Sequence, residues 1–276
     1  MREVTVAALN YLMESEEEAL RLDLKTEGKL AQEQASWAGL APGMSVADLG
    51  CGPGKTTYYL NGLVQPGGSA VGVDISEQRI RYALKHYPHR TIEYKVGDIR
   101  EPLNQLGAFD FLWVRFVLEY YHSGSFDIVK NISNILKPGG IMCLVDLDCN
   151  CLRHFGLSAR LEKTIAGMME SLTKTFDFDP NVGVRLYSFL YDLGYQDIRV
   201  HVTSHNLKTG NLKDHEIFNW TKKAEIAGQR SSYHFENYPG GFREFYEDLR
   251  LSFSDPRVFY YTPLIICRGI KPLTTS

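Results

Sequence analysis

The sequence has no surplus of one charge. Its 276 residues carry 30 Lys and Arg against 33 Asp and Glu, a formal net charge of −3. A dedicated binder of nucleic-acid backbones shows a basic excess, so this balance argues against a nucleic acid partner. No uninterrupted apolar run is long enough to span a bilayer, so no membrane partner is expected. The opening residues, Met1-Arg2-Glu3-Val4, lack the apolar stretch of a secretory signal. Cysteine is sparse and unpatterned. There are five, no C-x-x-C pair occurs, and only Cys149 and Cys151 lie close together. Free thiols in a reducing compartment follow, and the expected location is cytoplasmic. Internal repeats and low-complexity segments are also missing.

What is present is the makeup of an ordinary globular chain, 44% hydrophobic and 23% charged. The length allows one large domain, or one domain with an insertion. Leu20, Leu24, Ala31 and Ala35 recur at near-helical spacing between Glu16, Glu17, Glu18, Lys25 and Lys29, and Ala41-Pro42-Gly43 ends that pattern. From there the pattern alternates. Strands are expected at 45–49, 70–74, 91–96, 109–114 and 141–147. Helices are expected at 56–63, 77–86 and 126–136, the last ending at Lys137-Pro138-Gly139-Gly140. Strand and helix at this rhythm mean βαβ units and a buried parallel sheet. Further helices are expected at 157–174 and 184–193, and strands at 197–203 and 258–267. Between those strands, 205–257 is polar and aromatic with two helical segments, at 213–227 and 241–251.

The chemistry gathers at strand ends. Asp48-Leu49-Gly50-Cys51-Gly52-Pro53-Gly54 follows the first strand, and its glycines let a ligand approach the backbone closely. The loop opens a helix whose N-terminal amides favour an anionic group. A dinucleotide fingerprint would read G-x-G-x-x-G. Here Lys55 stands at the third glycine's place and Gly54 comes one earlier, so the dinucleotide reading is set aside. Asp74 ends the second strand, about where an acidic residue receives a ribose hydroxyl pair. Gly97-Asp98-Ile99 follows the third strand: a carboxylate there can accept an adenine's exocyclic amine, with Ile99 against the ring. The run from Asp110 to Tyr120 ends the fourth strand at the crevice where such sheets bind ligands.

In this order the pieces resemble the class I S-adenosylmethionine-dependent methyltransferases. Asp48 to Gly54 is similar to their nucleotide loop, Val73-Asp74 to their ribose site, Gly97-Asp98-Ile99 to their adenine site, and Leu136 to Gly140 to the turn before their fifth strand. The resemblance covers about 45–148. It implies an α/β fold: a doubly wound, seven-stranded, mostly parallel, Rossmann-like sheet whose last strand is antiparallel. It also implies an N-terminal helical lid (1–42), a core (43–276) and a helical substrate cap (205–257) inserted before the last strand. S-adenosyl-L-methionine is the implied cofactor. Asp48, Gly50, Cys51, Gly52 and Gly54 would cradle it, with Asp74 and Ile75 at the ribose and Gly97, Asp98 and Ile99 at the adenine. Arg115 and Phe116 would meet its amino-acid end. The helix carrying Arg21-Leu22-Asp23 and the segment 114–119 are similar to small-molecule methyltransferases of secondary and cofactor metabolism, which adds Arg21 to the cofactor set. Lys25 stands where that pattern suggests glutamine.

The expected reaction is in-line methyl transfer to oxygen, nitrogen or carbon of a small organic molecule, with the protein supplying position and environment. Where the acceptor must lose a proton, candidate bases are His122 first, then Glu119, His154 and His205. Tyr11, Tyr120, Trp220 and Tyr233 are expected to line a substrate pocket. Asp146, Asp148 and Asn150 alternate like oxygen ligands, but the adjacent Asp-Asn pair of catechol-type enzymes is missing, so no metal is expected. There is no Pro-Cys dipeptide of the cytosine-ring enzymes, and Asp110-Phe111-Leu112-Trp113 lacks a Pro-Pro-aromatic pattern. Two rival readings are a protein or RNA methyltransferase and a non-catalytic S-adenosylmethionine-binding regulatory protein. Nothing in the sequence specifies an oligomeric state.

Overall fold

Five short apolar segments pair into a parallel sheet: β1 (Ser45–Leu49), β2 (Ser69–Asp74), β3 (Ile92–Val96), β4 (Phe109–Arg115) and β5 (Leu136–Leu147). The computed structural model describes residues 18–209, 212 and 214–273. Three further strands are β6 (His154–Phe155), β7 (Gln196–Thr209) and β8 (Phe259–Ile270). The sheet runs β3-β2-β1-β4-β5-β8, with β7 on the outer side of β8. As expected for the last strand, β8 is antiparallel to its neighbours. The fold is α/β and doubly wound, and the order reverses between β1 and β4. A crevice opens at such a reversal because the flanking crossovers leave in opposite directions.

Side chains alternate across the sheet, as the two-residue period of a strand requires. Ala47, Leu49, Leu112, Val114 and Met142 face one way, toward α5 (Ser125–Ser133) and α7 (Leu186–Asp192). Val46, Phe111, Trp113 and Cys143 face the other way, toward α2 (Gly28–Ala38) and α3 (Lys55–Val64). Both faces are covered, which is why these strands read as continuous apolar runs. On one edge α4 (Glu77–His86) starts at Ser76, whose hydroxyl accepts the Arg79 N–H.

A separate core lies above the sheet. It is built by α6 (Ala159–Phe176), α8 (Asp214–Arg230) and α9 (Gly241–Ser252), with Leu161, Met168, Leu172, Phe245 and Leu249 buried together. Among the described residues the insertion between β7 and β8 supplies α8 and α9, and α6 comes from the segment before β7. A short helix, α1 (Glu18–Lys25), precedes α2.

The structure corrects the sequence-based expectations at four points. The described sheet has eight strands, because the two-residue β6 pairs with Phe259 and Tyr260 where β5 no longer reaches β8. Helix α5 stops at Ser133, three residues before the expected end. Lys137-Pro138-Gly139-Gly140 lies inside β5 as an irregular stretch: the pairing jumps from Phe109–Leu136 to Phe111–Ile141, and Gly139 takes φ +77° to accommodate the extra residues. Finally, β7 continues to Thr209 because Lys208 and Thr209 pair with Tyr260 and Phe259, so the insertion begins beyond 205.

Candidate functional site

The glycine loop leaves β1 with Gly50, Gly52 and Gly54 all at positive φ. At Gly50 a Cβ would come within 2.3 Å of Val117 Cγ2, so glycine is required there on two counts. The Gly50 and Cys51 amides donate to the Val73 carbonyl at 2.8 and 2.9 Å. The Gly52 amide donates to Asp74 Oδ2 at 2.8 Å, while Oδ1 accepts the Ser76 N–H at 2.9 Å and lies 3.4 Å from the Arg79 guanidinium. Asp74 therefore joins the loop, the end of β2 and the start of α4. Behind the loop, burial pushes the Asp48 carboxyl up to about 7, although the Thr57 hydroxyl donates to it at 2.6 Å.

A cavity of about 690 Å³ opens over this loop. Asp48, Gly50, Cys51, Gly52, Asp74 and Ile75 line it on the β1–β2 side. Gly97, Asp98 and Ile99 line it at the end of β3, and Arg115 and Phe116 at the end of β4. Burial pushes the Asp98 carboxyl up, but the Arg100 guanidinium and backbone N–H outweigh it and hold the group below its usual range. Phe116 sits at φ +58°, an uncommon conformation for a residue with a side chain, and the Arg115 guanidinium lies 4.1 Å from its ring centroid.

A second cavity of about 190 Å³ lies next to the first, under α6, α8 and α9. Leu22, Thr26, Arg115, Phe116 and Tyr120 line both, so the two spaces meet there. Its walls are apolar and aromatic, among them Met168, Leu172, Trp220 and Phe245. Its charged groups include Glu119, Lys25 and Lys223. Burial pushes the Glu119 carboxyl up while both lysines pull it back down, and Asn150 donates to its Oε2 at 2.9 Å. Lys223, then burial and Arg21, push the Lys25 ammonium down to about 7. Burial first, and then Lys25, Lys223 and Arg115, push the His205 imidazole down to about 2. Its Nε2 is buried with no hydrogen-bond partner, and its ring lies 5.2 Å from Phe116. Among the described residues no cluster of His, Cys, Asp or Glu could hold a metal ion. Asp146 instead accepts the Leu118, Glu119 and Leu147 amides.

A family model described as a methyltransferase domain matches residues 46–140. Residues 46–140 are a methyltransferase domain. Over 106 residues it is 32% identical to a demethylmenaquinone methyltransferase of Lactococcus lactis, covering 37% of this chain and 42% of that one. The chain thus spans less than half the length of that relative. Among solved structures, a putative methyltransferase from Bacillus halodurans is similar at a TM-score of 0.58 and 17% identity, covering 89% of this chain and 100% of that one. A Haemonchus contortus phosphoethanolamine N-methyltransferase, solved with phosphomonomethylethanolamine and S-adenosylhomocysteine, is similar at a TM-score of 0.52 and 16% identity, covering 88% of this chain and 52% of that one. At those identities the likeness is one of fold.

The sequence-derived residues fall into three groups. Eleven of the thirteen assigned to the cofactor line the larger cavity. Gly54 does not: it caps α3, where a Cβ would strike Ala83. Arg21 lines the second cavity instead and is paired to Glu18 through two 2.7 Å hydrogen bonds. Of the acceptor-pocket set, Tyr120 and Trp220 line the second cavity. Tyr233 packs against Gly167 of α6 and the Phe235 ring, because the cap needs that side chain for its own core. Tyr11 lies outside the described residues.

The base candidates separate as well. His122 lines neither cavity: its side chain is 46% exposed, with Nδ1 3.4 Å from Asp179. The helical turn Leu118–Tyr120 buries Glu119, and His122 lies beyond it. Glu119, His154 and His205 do line the second cavity. Sequence reasoning missed Lys223 and the share of α6 in the pocket. Neither has a local signature, since a lysine on a polar helix and an amphipathic helix are common features.

Proposed function

We propose that this protein transfers a methyl group from S-adenosylmethionine to a small organic molecule held in the second cavity. The observation that carries the reading is the meeting of a glycine-loop cavity and an apolar cavity along Arg115, Phe116 and Tyr120. The donor set suits the cofactor. Asp74 offers carboxylate oxygens at the end of β2, and the space over Gly52 is open, with Leu22 the nearest side chain at 3.7 Å from a Cβ placed there. Bound there, S-adenosylmethionine would supply an electrophilic methyl group on a sulfonium. Aligning two bound reactants lowers a barrier by roughly 7–11 kcal/mol at best, so positioning is the main task of the protein.

Each part of the chain has a role in this reading. Asp74 orients the ribose, Asp98 and Ile99 the adenine, and Arg115 and Phe116 the amino-acid end. Helix α1 acts as a lid: Asp23 accepts from the hydroxyls of Tyr82 and Tyr87, and Lys55 Nζ donates to the Asp23 carbonyl at 2.7 Å. Helices α6, α8 and α9 act as the acceptor cap and exclude water. Glu119 and Tyr120 shape the junction. All five thiols are free, which supports a reducing cytoplasmic setting, and no helix among the described residues is long and apolar enough to cross a membrane.

Calorimetric titration with S-adenosylmethionine tests the reading. Saturable binding that weakens by about tenfold or more in Asp74→Ala is expected, since each hydrogen bond to a charged group contributes on the order of 1.5–3 kcal/mol. No binding, or equal binding by the variant, would overturn it.

A further inference from the structure

The second cavity has a charge pattern that methyl transfer alone does not require. Five cationic side chains line it, from Arg21, Lys25, Arg115, Arg153 and Lys223, against two carboxylates, Glu27 and Glu119. Arg21 is held by Glu18, and Arg115 is drawn toward Asp48, Asp146 and Glu27. Among the described residues neither Lys25 nor Lys223 forms a salt bridge. They come from α1 and α8, at opposite ends of the chain, and each repels the other across the same space. Glu119 acts on both ammonium groups, so two cations share one carboxylate across this space, and a bound anion balances the charge that remains.

The rest of the cavity is built for an apolar body. Met168 and Met169 of α6, Ala227 of α8 and Phe245 and Leu249 of α9 line it. The charged end is the end nearest the cofactor cavity: Leu22 and Thr26 flank Lys25 on and just beyond α1, and both line the two cavities. An amphiphile lying in this space would therefore place its anionic group at the junction and its tail under the cap.

We propose that the acceptor is an amphipathic carboxylic acid, bound with its carboxylate between Lys25 and Lys223 and its apolar body under α6, α8 and α9, and that the carboxylate oxygen takes the methyl group. This rests on the methyl-transfer reading above. The oxygen forms the new C–O bond as the bond from the methyl carbon to sulfur breaks. The electron pair remains on sulfur, the product is a neutral ester, and no proton is released. A carboxylate is already ionised near neutral pH and needs no base. That suits a cavity whose two imidazoles, His205 and His154, are both pushed down by burial, His205 to about 2. The ester no longer matches the two lysines, which favours its release.

The test uses decanoate, decanol and decylamine, titrated into the full chain without cofactor by calorimetry. Decanoate is expected to bind about tenfold more tightly than decanol or better, with decylamine weakest. Lys223→Met and Lys25→Met should each abolish that preference while leaving decanol binding unchanged. Equal binding of decanoate and decanol, or tightest binding of decylamine, overturns the proposal. S-adenosylmethionine is then added, and methyl decanoate is sought by mass spectrometry. Preferred binding of decanoate and of the cofactor without ester overturns the carboxylate as acceptor. Binding of S-adenosylmethionine with no preference for decanoate defeats this inference and leaves the methyl-transfer reading standing. Preference for decanoate with no binding of S-adenosylmethionine defeats that reading and leaves the carboxylate site.

Discussion

The Gly52 amide donates to the Asp74 carboxylate at 2.8 Å, so the glycine loop and the acidic residue 22 positions later form one unit. The same carboxylate holds the Ser76 amide and faces the Arg79 guanidinium. Asp74→Asn keeps one acceptor oxygen and loses the charge. It should weaken S-adenosylmethionine binding less than Asp74→Ala does, and lower stability by about 1–3 kcal/mol through loss of the carboxylate charge 3.4 Å from the Arg79 guanidinium. Denaturant unfolding beside calorimetry separates the two effects.

Asp23 ties α1 to α4 and to the start of α3, accepting from Tyr82 at 3.1 Å and from Tyr87, with Lys55 Nζ 3.8 Å away. Asp23→Ala should release α1 and leave the sheet intact. Limited proteolysis is expected to cut near α1 several-fold faster in the variant, with cofactor protecting wild type more than the variant. Equal cleavage of the two proteins would show that α1 is held by other contacts.

Burial raises the Asp48 carboxyl to about 7, far above an unfolded-state value near 4. The folded protein therefore binds more protons than the unfolded chain between those values. Stability from this group is present at low pH and is lost as pH rises through about 7. Asp48→Asn keeps an acceptor for the Thr57 hydroxyl and does not ionise. Relative to the variant, wild type should lose melting temperature as pH climbs from about 5 to about 8. A constant difference across that range would contradict the shift.

Phe245 is fully buried in the cap, against Phe235, Tyr238 and Phe242, and does not touch the glycine loop. Phe245→Ala should cost about 3–5 kcal/mol, the usual result of emptying an aromatic core site. Because the cap has its own core, the loss should fall on acceptor binding, with cofactor affinity changing less than about threefold. Parallel loss of both would mean that the cap and the sheet unfold as one unit.

The sequence was informative where function is local. Gly50, Gly52, Asp74, Asp98 and Ile99 lie within short segments at strand ends, and the strand-then-turn pattern alone places them on one rim. Gly54 was legible as part of the same loop but serves its turn, since its Cβ position is filled by Ala83 and Tyr94. His122 misled because it follows β4 closely. A three-residue helical turn, Leu118–Tyr120, intervenes and decides which side chains face inward, and strand periodicity carries no information about that turn.

By itself, then, the sequence determined the alternation of strands and helices and the strand-end segments that line the larger cavity. The first follows from apolar periodicity and the second from glycines and carboxylates placed directly after strands, while the doubly wound order is what the family resemblance implies. Tertiary structure alone decided the second cavity. Lys25, Glu119, His205 and Lys223 come from α1, the turn after β4, β7 and α8. No spacing rule relates such distant positions; only the packing of α6, α8 and α9 over the open ends of the strands brings their charges into one cavity.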